Sequence, residues 1–278
     1  MTNKSSDLVS IIIPVYNASL YLRATIDSVI SQSHSNWELF LVNNCSTDGS
    51  AAVIDDYCSK DSRIRRLDTE FNTGGPSAPR NLGASIANGQ FLAFLDSDDC
   101  WKVEKLALQL EFMDETQADI VHCGAVLIDG SSNEIGQLNH FKKYRRLKYL
   151  VGNRLALFLN NPIIVSSSLI RESAYIKFRE NKDVEAMEDW FLWLELHLAG
   201  KKIKMLNKNL LDYRVHDGSL TNALGEVMSR RGFTIFTLLV IEGKIGLGRF
   251  WLVCTFQVVK ILRLRFLSKL RNLIVNFG

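Results

Sequence analysis

Phe91-Leu92-Ala93-Phe94-Leu95-Asp96-Ser97-Asp98-Asp99 is the stretch from which the rest of the chain is read. Five consecutive apolar residues describe a strand buried on both faces, as in a parallel sheet. Three carboxylates then fall within four positions, where the strand would leave the sheet. Like charges so close raise one another's pKa unless a cation sits among them. A divalent Mg²⁺ or Mn²⁺ shared with a phosphate meets that need. Ligands of open α/β sheets bind outside the carboxyl ends of the strands, where this cluster lies. A solvated acidic turn ahead of a helix near Lys102 is the plainer alternative for an isolated Asp-Ser-Asp.

Upstream, Val9-Ser10-Ile11-Ile12-Ile13-Pro14-Val15 predicts a buried strand with Pro14 at its end. Asn17 or Ser19 is placed to cap a helix running to about Gln32. Trp37 to Val42 reads as a second strand and Asn43 to Ser50 as its loop. Helices are expected over Ala51–Cys58 and Ser77–Ala87, and a short strand over Ile64–Leu67. Such alternation predicts an α/β fold, a doubly wound, mostly parallel sheet with these loops on one rim. The second half reads as mixed. Helices are expected over Lys102–Glu115, Tyr149–Leu159 and Trp190–Ala199. Strands are expected over Ile120–Ile128, Ile163–Ile170 and Leu210–Val215, with polar loop or hairpin from Gly130 to Lys143.

The chain has 278 residues, 47% hydrophobic and 23% charged, with a net charge of +3, the balance of an ordinary globular protein. That total gives no reason to invoke nucleic acid. Five scattered cysteines without a C-x-x-C pair fit a reduced cytosol and argue against a disulfide framework or zinc site. No signal-peptide core and no apolar run of membrane-spanning length is visible. The expected location is cytoplasmic.

Five spaced motifs carry a resemblance: Ser10-Ile11-Ile12-Ile13-Pro14-Val15-Tyr16-Asn17; Val42-Asn43-Asn44-Cys45-Ser46-Thr47-Asp48-Gly49; Pro79-Arg80-Asn81-Leu82-Gly83; Leu95-Asp96-Ser97-Asp98-Asp99; and Glu188-Asp189-Trp190, with Tyr213-Arg214-Val215-His216 behind it. Together, over about residues 8 to 222, they resemble a family 2 inverting glycosyltransferase of GT-A fold. The Gly-Gly-Pro loop at Gly74-Gly75-Pro76 and the Ser166-Ser167-Ser168 segment resemble a bacterial surface-polysaccharide branch, of teichuronic-acid, O-antigen or capsule type. The resemblance implies a glycosyltransferase domain over 1–222, with a nucleotide-binding half (1–100) and an acceptor half (101–222). A basic helical tail would occupy 223–278.

Residue by residue, the resemblance puts Asp96 on ribose, Asp98 and His216 on the metal, and Asp99 on the metal or the sugar. Pro14, Tyr16, Asn17, Asn43, Asn44 and Ser97 fall around the nucleotide. Where the family usually has Asp-Asp-Gly-Ser, this chain has Asn43-Asn44-Cys45-Ser46. An asparagine carbonyl accepts a hydrogen bond from a pyrimidine N3–H more weakly than a carboxylate does; plain turn formation is the other reading. Arg80, near a helix N-terminus, suits the diphosphate. Inversion needs a base to take the acceptor's proton; Asp189 is the first candidate and Glu188 its rival. Trp101 and Trp190 are weaker candidates for the acceptor site, with core packing as the alternative.

From Gly243 to Gly278 the chain has Lys244, Arg249, Lys260, Arg263, Arg265, Lys269 and Arg271 and no acid. Leu262, Phe266, Leu270, Leu273 and Phe277 gather on one side of a helical projection, which suits a helix lying on anionic lipid. The alternative is packing on the catalytic unit or on a second subunit of a homodimer. The resulting expectation is transfer of one sugar from a nucleoside-diphosphate donor, UDP first, to a polyprenyl-diphosphate-linked saccharide at the cytosolic membrane surface. A non-catalytic sugar-nucleotide-binding scaffold is the second reading. A nucleotidyltransferase is the third, and it lacks its Gly-rich signature after the first strand.

Overall fold

Ile11, Ile12 and Ile13 are all fully buried because the sheet is covered on both faces. The strands are β1 (Val9–Val15), β2 (Trp37–Asn43), β3 (Ile64–Asp68), β4 (Phe91–Phe94), β5 (Cys100–Trp101), β6 (Ile120–Ile128), β7 (Glu134–Gln137), β8 (Ser168–Arg171) and β9 (Ile203–Arg214). The helices are α1 (Leu22–Ile30), α2 (Ser50–Lys60), α3 (Ser77–Ser85), α4 (Lys105–Thr116), α5 (Asn153–Leu159), α6 (Glu188–Leu198) and α7 (Gly225–Ile241). Residues 247–255 form an eighth, α8. The computed structural model describes residues 7–137, 153–184, 186–216 and 225–255.

Successive side chains of a strand point to opposite faces. Ile11 and Ile13 of β1, Leu39 and Leu41 of β2, and Ala93 of β4 meet Leu22 and Ile26 of α1, Val53 and Ile54 of α2 and Leu106 of α4. Ile12, Phe40, Val42, Leu92 and Phe94 point the other way, into a core completed by α5, α6 and α7. The sheet runs β3-β2-β1-β4-β8-β6-β9-β5, with β7 on β6. β1 is parallel to β2 and β4, and β2 to β3. β8 is antiparallel to β4 and β6, whereas β6 and β9 are parallel. The expected division into a parallel first half and a mixed second half is therefore observed. Four parallel strands put the loops after β1, β2, β3 and β4 on one rim.

α3 approaches the sheet closely at Gly83, where a Cβ would lie 2.6 Å from Ile12 Cγ2. That accounts for the glycine of the Arg-Asn-x-Gly motif.

Several expectations are corrected. Neither Asn17 nor Ser19 caps α1, which starts at Leu22 with Tyr21 as an N-cap that makes no side-chain bond. Asn17 has φ 49° and is tied to the neighbouring loop. The expected strand over Ile163–Ile170 contains a single 3₁₀ turn, Val165–Ser167, and only then β8. β9 begins at Ile203 rather than Leu210. The two-residue β5, paired with β9 through Cys100↔Asp212 and Trp101↔Leu211, was not anticipated. The segment from Phe250 is two-sided: Val253 and Cys254 are buried, and Trp251 and Leu252 are exposed. The expected start of a helix at Tyr149, the division at residue 222 and the amphipathic pattern from Lys260 fall outside the described residues. No helix among the described residues is long and apolar enough to cross a membrane.

Candidate active site

The acidic turn after β4 is held in place by the end of β9. Arg214, almost fully buried, donates from its backbone N–H to Asp99 Oδ1 (2.9 Å) and from Nε to the Asp98 carbonyl (2.8 Å). Its Nη1 reaches the Asp129 carbonyl (2.9 Å), and its guanidinium lies 4.6 Å from the Tyr21 ring centroid. The same strand end brings His216 Nε2 to 2.9 Å from Asp98 Oδ2. Asp98 and His216 are thus brought together, as the resemblance implied. Asp99 Oδ2 is buried and has no hydrogen-bond partner. Burial, reinforced by Asp96, pushes the Asp98 carboxyl up against the opposing pull of His216. Burial, with Asp98 and Asp96 beside it, pushes Asp99 well up. This turn is short of positive charge.

Arg80 links it to the other half of the site. Its side chain is 3% exposed, with Nη2 at 2.6 Å from Asp96 Oδ1 and Nη1 at 2.8 Å from Glu188 Oε1. One guanidinium therefore ties the end of β4 to the start of α6, although 108 residues separate Arg80 from Glu188. The expected diphosphate contact of Arg80 is not what this geometry supports: both Nη groups are engaged by carboxylates, and Nε is buried without a partner. Its neighbour Asn81 clamps the loop before α6. It donates to the Phe178 carbonyl (2.9 Å) and Glu180 (2.7 Å), and accepts from Phe178 N (2.8 Å) and Tyr175 Oη (2.9 Å).

The Glu188-Asp189 pair divides as adjacency requires. Glu188 is buried on Arg80, while half-buried Asp189 accepts from the Trp190 N–H (2.6 Å) and Asn161 Nδ2 (3.1 Å). Burial, then the Glu188 charge, lifts the Asp189 carboxyl to about 7, with Arg80 pulling the other way. A carboxylate with no ion-pair partner among the described residues and with a pKa near neutrality suits a general base.

The nucleotide side is built by cross-linked loops. Asn17 Oδ1 accepts from Thr47 N (2.8 Å), and Ala18 N donates to Ser50 Oγ (2.9 Å). Tyr16 is exposed, Pro14 is buried beside Val42, and half-buried Ser97 accepts from Thr25 Oγ1 through its carbonyl (3.0 Å). Asn43 and Asn44 are buried and spend their side-chain oxygens internally. Asn43 Oδ1 accepts from Ser46 N (3.1 Å) while its amide donates to Asp68 (2.8 Å). Asn44 Oδ1 accepts from Thr73 N (3.0 Å), Thr73 Oγ1 (3.2 Å) and Thr69 Oγ1 (3.0 Å). Backbone N–H groups can only donate, so they fix both amide orientations. The expectation that an asparagine carbonyl accepts from a pyrimidine N3–H does not suit Asn44, whose Oδ1 already takes three donors, whereas Asn43 Oδ1, with one, keeps a lone pair.

Both tryptophans proposed for the acceptor are core residues. Trp101 is buried, donates to the Ser166 carbonyl (2.7 Å) and lies under the Lys105 ammonium, 4.0 Å from its ring centroid. Trp190 is buried, donates to the Leu157 carbonyl (2.7 Å) and packs edge-on to Phe236. Neither ring face is open to a sugar. Sequence reasoning missed Arg214 and Asn161 as positioning residues. Arg214 stood inside a quoted motif, whereas an Asn-Asn-Pro turn at Asn160-Asn161-Pro162 gave Asn161 no mark of its role.

The acidic turn thus lies among the parallel-strand loops of one rim and is tied through Arg80 to α6 of the mixed second half. The Glycosyl transferase family 2 model matches residues 10–179, and the chain belongs to that family. It is 33% identical over 215 residues to TuaG of Bacillus subtilis, named as a teichuronic acid biosynthesis glycosyltransferase, covering 77% of this chain and 82% of that one. It is 32% identical over 222 residues to the Escherichia coli UDP-Glc:α-D-GlcNAc-diphosphoundecaprenol β-1,3-glucosyltransferase WfaP, covering 77% and 80%. The crystal structure of S. aureus TarS 1–349 with UDP shares the fold, with TM-score 0.62 at 23% identity over 82% of this chain and 65% of that one. So does the mannosyltransferase PcManGT of Pyrobaculum calidifontis with GDP-Man and Mn²⁺, with TM-score 0.65 at 15% identity over 90% and 68%.

Proposed function

We propose that this family 2 glycosyltransferase is inverting and metal-dependent, and transfers one sugar from a nucleoside-diphosphate donor, UDP first, to a polyprenyl-diphosphate-linked surface saccharide. The observation that carries the reading is the Arg80 bridge. It joins the strand end that would receive the donor to the helix start that would receive the acceptor, and among the described residues no cation pairs with Asp189. Supporting the donor and acceptor are WfaP, which by its name uses UDP-Glc and a diphosphoundecaprenol-linked acceptor, and the UDP and GDP-Man complexes of the structural relatives. The catalytic unit over 1–222 and the tail over 223–278 belong to the same proposal, as do a cytosolic location and the membrane as partner.

Asp98 and His216 fit a divalent ion. A carboxylate and an imidazole meet at 2.9 Å beside a buried carboxylate oxygen of Asp99 without a partner, and oxygens of the diphosphate would complete the shell. No group of three or more protein ligands that could hold a metal occurs among the described residues, so the diphosphate would have to supply the remaining ligands. When bound, Mn²⁺ or Mg²⁺ would stabilise the charge developing on the departing diphosphate. The chain's own part is then clear. Asp96, its second oxygen free of Arg80, would accept from ribose. Arg214 holds the acidic turn to β9. Glu188, on Arg80, positions α6. Asp189 would take the proton of the acceptor hydroxyl as it attacks the anomeric carbon from the face opposite the diphosphate.

The test is a thermal-unfolding panel of UDP-Glc, UDP-GlcNAc and GDP-Man with and without Mn²⁺. A ligand that binds only the folded state raises its melting temperature. A metal-dependent rise with a UDP-sugar is expected; no response to any of them would remove the reading. Stabilisation without turnover on any acceptor would favour the scaffold instead.

A further inference from the structure

The strongest feature outside the cleft is the corner where α7 meets α8. Ile241 is 75% exposed, Leu247 65%, Trp251 66% and Leu252 52%, four large apolar side chains within twelve residues. Leu247 and Trp251 stand one helical turn apart on α8, so they share a face. Val253, two residues past Trp251, turns the opposite face into the core, and Cys254, one turn past Trp251, is buried at the margin. Trp251 differs from the other four tryptophans, Trp37, Trp101, Trp190 and Trp193, all of which are buried. A tryptophan on an outward face fits the lipid headgroup level.

Charge decides what would cover this face. From Gly243 onward there are seven Lys and Arg and no acid, and six of the seven remain once Lys244, taken up by Glu195 and Glu242, is set aside. The nearest acid in sequence, Glu242, is paired with Arg179 (2.8 Å) and Lys244 (2.8 Å). A protein partner with an ordinary mixed surface has no need of such a one-signed segment, whereas an anionic bilayer attracts it at about 1 kcal/mol per basic residue near the surface.

The corner is also anchored to the catalytic unit. Arg179 bridges Glu242 to Glu195 of α6 (2.7 Å), and Lys244 also contacts Glu195. α6 begins with Glu188 and Asp189. A surface held by this clasp is fixed relative to the candidate base.

We propose that Ile241, Leu247, Trp251 and Leu252 form a docking surface for an anionic phospholipid bilayer that sets the base-bearing helix α6 at a defined height above the lipid. It deepens the lipid-linked acceptor reading, yet its test needs no sugar. The purified full chain is floated with phosphatidylcholine vesicles with and without phosphatidylglycerol. Binding only to the anionic vesicles is expected, with weakening in high salt and a blue shift of tryptophan emission. The double variant Trp251→Ser/Leu252→Ser is expected to bind about tenfold more weakly and to lose the blue shift. Both positions are exposed, so its melting temperature should match wild type. Failure to bind anionic vesicles overturns the proposal. So does a double variant that binds as wild type does, which would assign binding to the segment after residue 255 alone. Light scattering that shows a dimer in wild type and a monomer in the double variant would instead give the face to a second copy. Donor-induced thermal stabilisation is read in the same samples, so loss of lipid binding with the donor response intact counts against this surface alone.

Discussion

Asp189→Asn is expected to lower sugar transfer by about 10³-fold while leaving donor-induced stabilisation unchanged, because general-base catalysis contributes roughly 10²–10⁴-fold. Asparagine keeps the acceptor atom for the Trp190 N–H but cannot take a proton. Stability should move the other way. In the fold the Asp189 carboxyl sits at about 7, against 3.8 for an ordinary aspartate. The folded state therefore favours the protonated acid. The resulting penalty is absent below the unfolded pKa, grows as pH rises and is complete above 7. Removing the charge should stabilise the protein at pH 8 by on the order of 1–2 kcal/mol after allowing for the lost Asn161 bond, and by nothing at pH 4. Urea unfolding at the two pH values measures this. In wild type, kcat/KM should rise with pH through about 7 as the base deprotonates. Full activity in the variant would move the base elsewhere.

Arg80→Gln should have the largest effect on stability, a loss of roughly 3–5 kcal/mol, because it strands Glu188 as a buried carboxylate without its cation. Asp96 would lose the same partner. A measurable consequence follows at Asp189. Arg80 pulls its pKa down and Glu188 pushes it up, so Arg80→Gln should move the acid limb of the pH–rate profile to higher pH. Glu188→Gln should move it lower. A solvated arginine would produce neither shift and would cost less than about 0.5 kcal/mol. Restored stability in Arg80→Leu/Glu188→Leu, without restored activity, would show that the pair acts as one unit.

The first hundred residues were legible because β1, β2 and β4 are mostly apolar and buried along their whole length, Ser10 and Glu38 included, and their helices fall between the strands in strict alternation. β1, β2 and β4 are buried on both faces, and only a parallel sheet clad on two sides requires that. The site was legible as a set of motifs but not as a network. Arg80 looked like an anion ligand because its helix context favoured one. What determines its partner is a glutamate 108 residues away, a distance no local pattern spans. The Arg214 N–H bond to Asp99 crosses 115 residues, and it was missed for the same reason. The first half of β9 was lost because Ile203–Asn209 mixes exposed lysines and asparagines with half-buried apolar residues, a pattern loops share. Trp101 and Trp190 were ambiguous because an aromatic beside a carboxylate serves equally well in a core or on a sugar. Their indole N–H groups bond to Ser166 and Leu157 carbonyls inside the protein, which places both in the core. Asn44 misled through chemistry rather than distance. An amide oxygen can accept, but three donors already occupy this one.

The central claim is that Asp98, with His216, engages a divalent ion that carries the donor's diphosphate. Calorimetric titration of UDP into the wild-type chain and into Asp98→Ala, each with and without Mn²⁺, tests it most directly. Mn²⁺ should tighten UDP binding to wild type by about tenfold or more, the equivalent of 1.4 kcal/mol, and should leave Asp98→Ala unchanged. Equal UDP affinity with and without metal in wild type, or an undiminished metal effect in Asp98→Ala, would contradict it.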